Sequence, residues 1–177
     1  MTADQIIKCG VFEGFSWIRC EGKGSFLNSP LLKSFSEERL AGGERVIVVD
    51  LAACSGMDST FMGTLAGMAA RLSAVEGGVL QIADACERNR RSLEDLGLDF
   101  LMQINPTDAG WLNRVEEIRP QLKIAQSQGQ LSQGQHTKHV LQAHETLAAL
   151  NEENAREFES VVDTLRQQVA KPPRSGQ

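Results

Sequence analysis

Apolar residues fall in short runs and alternations through the first two thirds of the chain, then change period. Gln5–Phe12 and Phe15–Cys20 mix β-branched and aromatic residues on either side of Glu13-Gly14, a pattern that predicts a hairpin. The segment FLNSPLLKSFSEERLAGG then places Leu31, Leu32, Phe35 and Leu40 on one helical face. Asn28 or Ser29 can cap that helix, Pro30 suits its first turn, and Gly42-Gly43 ends it. RVIVVDL (Arg45–Leu51) and VLQIADA (Val79–Ala85) are continuous apolar runs, as expected of strands covered on both faces. A helix is predicted between them, from about Asp58 to Glu76. After them, ERNRRSLEDLG reads as a helix ending at Gly97, and FLMQIN (Phe100–Asn105) as a last strand. Strands alternating with helices through short Gly-marked links imply parallel pairing with right-handed crossovers, hence an α/β domain.

Beyond Ile118 the pattern changes. RPQLKIAQSQGQLSQGQHT is rich in Gln, Ser and Gly, so 119–136 is expected to be a flexible linker between a domain at 1–118 and a helical extension at 137–177. In the extension, Leu141, Ala148, Ala155, Phe158, Val162, Leu165 and Val169 recur at helical spacings. Asn151, followed by Glu152 and Glu153, marks a fresh start, so two helices, Lys138–Leu150 and Glu152–Ala170, are expected rather than one rod. The terminal KPPRSGQ should fray. The apolar stripe needs a surface to cover, either the chain's own domain or a second copy in a homodimer.

Composition narrows the function. A chain of 177 residues with 41% hydrophobic content supports one domain plus an extension. Its 18 basic and 23 acidic side chains give a net charge of -5, which argues against a nucleic-acid partner. Arg88, Arg90 and Arg91 are interspersed with Glu87 and Glu94 and read as a solvated helix face. The N-terminal MTADQIIKCGVFEG lacks the charged start and apolar core of a signal peptide, and no run approaches the roughly 20 apolar residues that span a bilayer. A cytoplasmic location is therefore expected. Cys9, Cys20, Cys54 and Cys86 show no zinc spacing and read as small buried residues.

The informative stretch runs from Val46 to Leu72: a buried strand, a loop containing Gly56, then Asp58-Ser59-Thr60 opening an amphipathic helix. From physics alone, a serine at such a junction is a helix cap. The run D-L-x-x-x-x-x-M-D-S-T-x-x-G-x-L, Asp50 through Leu65, resembles the signature of STAS domains in anti-sigma factor antagonists, and the order of elements from Gln5 to about Asn105 is similar too. Phe61 stands where many members have Gly. The resemblance implies a STAS-type α/β fold with a mixed sheet of four to five strands and helices packed against it. It implies that Ser59 is the phosphorylated serine, with Asp58, Thr60, Phe61 and Met57 beside it on the partner-binding surface. It also implies the partners: an anti-sigma factor that is itself a serine kinase, captured while Ser59 is unphosphorylated, and a metal-dependent serine phosphatase that resets the switch. No enzyme activity and no cofactor are implied.

A nucleophilic Ser59 needs a base within reach, but His136, His139 and His144 all fall in the linker and tail, and no G-x-S-x-G elbow surrounds the serine, so hydrolysis is not expected. The same histidines lack a ligand-spaced partner for a metal, and a solvent-facing or packing role is expected of them. No phosphate-loop pattern appears among the 16 glycines, which leaves nucleotide binding a minor alternative. Asp84 is expected to cap a helix, whereas Asp50 is either a cap or part of an acidic rim. Trp17 and Trp111 are expected to pack, Trp111 anchoring the chain's exit from the domain. The functional alternative is a STAS adaptor subunit in a lipid-transport or signalling assembly.

Overall fold

The computed structural model describes residues 5–127 and 129–171. Most of the terminal segment expected to fray, 172–177, lies outside the described residues. β1 (Gln5–Phe12) and β2 (Phe15–Gly24) form the antiparallel hairpin, turning at Gly14, whose φ of 87° suits a residue without a Cβ. There follow α1 (Ser29–Ala41), β3 (Val46–Asp50), β4 (Cys54–Met57), α2 (Ser59–Ser73), β5 (Val79–Ala83), α3 (Glu87–Asp95) and β6 (Gln103–Ile104). A one-turn α4 (Val115–Ile118) and β7 (Lys123–Ile124) lead to α5 (Gln133–Ala148) and α6 (Glu152–Ala170).

The strands lie in the order β6-β5-β3-β2-β1-β7, and β4 pairs with the end of β2. β3 is parallel to both β2 and β5, and β5 to β6, whereas β1 is antiparallel to β2 and β7. The sheet is thus mixed and has seven strands rather than the four to five expected. The additions are β4 and β7. β4 reads CSGM, too short and too polar to alternate, and β7 is two residues in a Gln-rich stretch. The strand expected at Phe100–Asn105 shrinks to Gln103–Ile104, because Leu98–Phe100 coils into a 3-10 turn after Gly97.

Successive strand residues point to opposite faces, and two cores result. On one face Ile47 and Val49 meet Leu32 of α1, Phe61, Leu65 and Leu72 of α2, and Leu93 of α3. On the other, Val48 packs with Phe15, Trp17, Trp111 and Ile118. The two tryptophans meet edge to face at 5.1 Å, and Trp111 Nε1 donates to Gln81 at 2.8 Å, so both pack as expected.

The C-terminal extension folds back on its own domain. Leu147 of α5 and Phe158 and Val162 of α6 join the larger core, which meets the requirement that the apolar stripe be covered. The stretch read as a linker is held at several points. Arg119 bonds Asp50 and Asp84, and β7 pairs with β1. Ser132 and Gln135 form a reciprocal capping box, so α5 starts at Gln133, five residues before the apolar period becomes visible. The break at Asn151 is where it was expected: its side chain caps α6 by accepting from Asn154 N at 2.8 Å. No helix of the described residues is long and apolar enough to cross a membrane.

Candidate functional site at the mouth of helix α2

β4 delivers the chain to the N-terminus of α2, where four backbone N–H groups lack intrahelical acceptors. Asp58, not Ser59, is the cap. Its Oδ1 accepts from Phe61 N at 2.8 Å, and its Oδ2 reaches back to Phe26 N at 2.9 Å. Asp58 N itself donates to Gly24 O at 2.9 Å. One carboxylate therefore joins the loop after β2 to the start of α2. Ser59 is the first residue of the helix, half-buried, and its hydroxyl has no capping task.

That hydroxyl meets His144 of α5, its Oγ 2.8 Å from Nε2. His144 Nδ1 lies 2.7 Å from the Val140 carbonyl, which can only accept. Nδ1 therefore carries a proton, and in the imidazole form of the ring this leaves Nε2 to accept from Ser59 Oγ. Phe158 of α6 stands edge-on against the same imidazole, centroids 5.5 Å apart. A second pair lies five residues back on α5: Ser29 Oγ, at the start of α1, is 2.7 Å from His139 Nε2. Burial, with help from the charges of Lys33 and His136, pushes His139 down to about 4, so its ring is neutral at pH 7. His144 is thus brought onto Ser59 and His139 onto Ser29, and the expectation that a position in the tail keeps every histidine from Ser59 is overturned. A contact across 85 residues has no signal in local spacing.

A serine facing an imidazole invites comparison with a nucleophile and its base. The comparison stops at two members. His144 is oriented by a carbonyl of its own helix rather than by a carboxylate. A nucleophile also needs its substrate's reacting atom beside the hydroxyl, and here α5 fills that space.

The residues expected on the partner surface divide. Met57, Asp58 and Ser59 are half-buried and reach the surface, but Thr60 and Phe61 face inward. Phe61 is wholly buried against Gly24, where an added Cβ would come within 2.8 Å of its ring. Phe61 is therefore a core residue, and so is Thr60, whose carbonyl accepts from Thr64 Oγ1 within α2. What the sequence did not single out is Phe26-Leu27, exposed by 46% and 58% next to Asp58. They lie in the loop before the α1 stripe, where periodicity assigns them no face.

Asp50 and Asp84 neither cap a helix nor line the Ser59 loop. Asp50 points to the opposite sheet face, fully buried, where it accepts from Arg19, Arg119, Trp17 Nε1 and Ala52 N. Burial alone would raise its pKa, but Arg119, the Ala52 N–H and Arg19 together hold it below the usual carboxylate range. Asp84 shares Arg119 at 2.7 Å. Together these groups tie the chain's exit to the ends of β3 and β5. Of the arginines on α3, Arg90 and Arg91 pair with Glu94 and Glu87 one turn away, as a solvated face should, but Arg88 turns to the Ser55 carbonyl beneath the β4 loop. Cys20 and Cys54 are buried, whereas Cys9 is half-buried and Cys86 is exposed. Among the described residues no cluster of three or more His, Cys, Asp or Glu is placed to hold a metal ion.

A mixed sheet with α2 entering from a short strand, and a serine hydroxyl beside the cap at that helix's mouth, defines a small α/β domain. The model of the STAS domain family matches residues 9–109, more than half of the chain, and the protein belongs to that family. The match ends before α5 and α6. Similar solved structures include an anti-sigma factor antagonist from Mycobacterium paratuberculosis, 22% identical with a TM-score of 0.54, covering 65% of this chain and 97% of that one. A putative anti-sigma factor antagonist from Thermotoga maritima is 20% identical with a TM-score of 0.53, over 64% and 94%. The Bacillus anti-sigma factor antagonist SpoIIAA in its unphosphorylated form is 19% identical with a TM-score of 0.50, over 64% and 97%. None of the curated proteins searched matches the chain.

Proposed function

We propose that this protein is an anti-sigma factor antagonist: it captures an anti-sigma factor that is itself a serine kinase, and phosphorylation of Ser59 ends the capture. The observation that carries the reading is the division of labour at α2. Asp58 satisfies the helix end, which leaves Ser59 with a hydroxyl at the positive end of a helix dipole and no structural bond that a modification must break within the domain. A phosphate there adds about -1.5 to -2 charges and three acceptor oxygens. The first-turn N–H groups and the dipole accommodate that charge, so the domain keeps its fold while its surface changes. The kinase would meet bulk and like charge where it had met a neutral hydroxyl beside Met57, Phe26 and Leu27, and Asp58 adds to the repulsion. A metal-dependent serine phosphatase would restore the neutral form.

The test is a capture assay with the full chain as bait against the purified ATPase-type serine kinases of the same organism. Ser59→Ala should retain a kinase that Ser59→Asp loses by at least about tenfold, since like charge at a contact costs more than 1.4 kcal/mol. With ATP, a single phosphoserine should appear at residue 59 by mass spectrometry. Capture of a kinase to an equal, measurable extent by both variants would sink the proposal.

A further inference from the structure

The family match stops at residue 109, yet the structure lays α5 directly over the residue on which the proposed switch turns. Three features show that this contact is built rather than incidental. Two imidazoles on α5 each hydrogen-bond the first hydroxyl of a domain helix, His139 that of Ser29 in α1 and His144 that of Ser59 in α2. α5 also approaches α2 backbone to backbone, at a point that only glycine permits. A Cβ on Gly63 would collide with the carbonyl and Cβ of Ala143, and neither can swing aside. Finally, α6 pins the far end: Asn154 Nδ2 donates to Leu96 O at 2.9 Å, while Phe158 closes over His144.

We infer that the α5–α6 hairpin is an autoinhibitory cover, which when docked excludes both kinase and phosphate from Ser59 and must lift before the switch can operate. This rests on the reading of Ser59 as a phosphoacceptor. The exclusion is steric. A phosphorus with three oxygens has no room in a contact of 2.8 Å between Ser59 Oγ and His144 Nε2, and a kinase active site has no approach through α5. The start of α2 stays capped when the cover lifts, because Asp58 holds it without help from the tail. Docked hairpin and phosphorylated serine are therefore alternative states of one chain. Phosphorylation would hold the hairpin off, and the hairpin would shield the serine until some input lifts it.

The test opens the hairpin from both sides in the full chain. Gly63→Ala acts from α2, where alanine is the better helix former. Leu147→Glu acts from α5, placing a charge where a fully buried side chain had been. Each is combined with Ser59→Cys, and alkylation by iodoacetamide is followed at residue 59 by mass spectrometry, with exposed Cys86 as internal standard. Either variant should label residue 59 at least tenfold faster than the Ser59→Cys parent, with Cys86 unchanged. In the chains that keep Ser59, phosphoserine should form at least tenfold faster than in the wild type when the serine kinase and ATP are added. Equal alkylation in all chains, with unchanged amide protection of α5, would overturn the cover. Faster alkylation with equal phosphorylation would overturn its regulatory role. Faster alkylation with no phosphoserine in any chain would uphold the hairpin as a cover and overturn the reading of Ser59 as a phosphoacceptor.

Discussion

Helices α1 and α2 begin alike and serve differently. Each opens on a serine whose hydroxyl meets an imidazole of α5, Ser29 with His139 at 2.7 Å and Ser59 with His144 at 2.8 Å. Ser29 is wholly buried, and its neighbour Asn28 uses its side chain to bond Ser25 N and Lys23 O rather than to cap the helix. Ser59 is half-buried, follows an anionic cap, and lies next to exposed Phe26 and Leu27. The two hydrogen bonds join the same kinds of group at nearly the same length. What differs is access to solvent and the local field: Ser29 is closed in, while Ser59 keeps an open edge beside an anionic cap. The comparison predicts that the two pairs can be uncoupled.

The largest effect should come from Phe158→Ala. The ring is buried and packs against His144, and among the described residues no aromatic ring stands against His139 in that way. Truncating such a side chain costs roughly 3–5 kcal/mol, and the loss should fall on the Ser59 side first. Hydrogen exchange should show α6 and the C-terminal half of α5 losing protection while the turns around His139 keep theirs. Uniform loss along α5 would mean that the two pairs open as one unit.

Acid should act on the other pair. His139 titrates near 4 when buried against Ser29, below the ordinary histidine value of 6.5, chiefly because burial disfavours the charged ring. Lys33 of α1 and His136 of α5 push the same way, while Asp58 and Glu37 oppose them. Between pH 6.5 and 4 the open chain takes up a proton that the docked state refuses. The stabilisation is therefore complete above pH 6.5 and is lost as pH falls toward 4, by up to about 3 kcal/mol. Denaturation midpoints across that window should fall in the wild type and flatten in His139→Gln. A slope that survives the substitution would place the titrating group elsewhere.

The two helix starts also show what a sequence can carry. The strands at Val46–Asp50 and Val79–Ala83 and the hairpin as far as Cys20 were legible because an apolar run or an alternation is local and burial enforces it. Asp58-Ser59-Thr60 was legible as a helix start, but which of the three caps it was not, since Asp and Ser cap about equally well. β4 was missed because CSGM owes its pairing to the end of β2 and not to its own composition. The inward turn of Phe61 was hidden for a related reason: only the approach of Gly24 creates the space that it fills. The Ser–His pairs depend on where α5 comes to rest, and that is set by Gly63 and by the capping box at Ser132, neither of which points at a partner.

The smallest effect is the sharpest test of the comparison. Ser29→Ala removes the partner of His139 Nε2 where the hydroxyl is fully buried, and a buried polar atom left unsatisfied costs about 1–3 kcal/mol. Ser59→Ala removes the same kind of bond, but that site is only half-buried, so water can replace the hydroxyl as donor to His144 at a cost below about 1 kcal/mol. Urea unfolding of the two variants should therefore rank Ser29→Ala as the more destabilised, by a margin larger than the error of the midpoint. Equal losses would show that the Ser59 hydroxyl is as firmly locked as Ser29. A group bound so tightly into its own chain would serve as an anchor, with little capacity to exchange one partner for another.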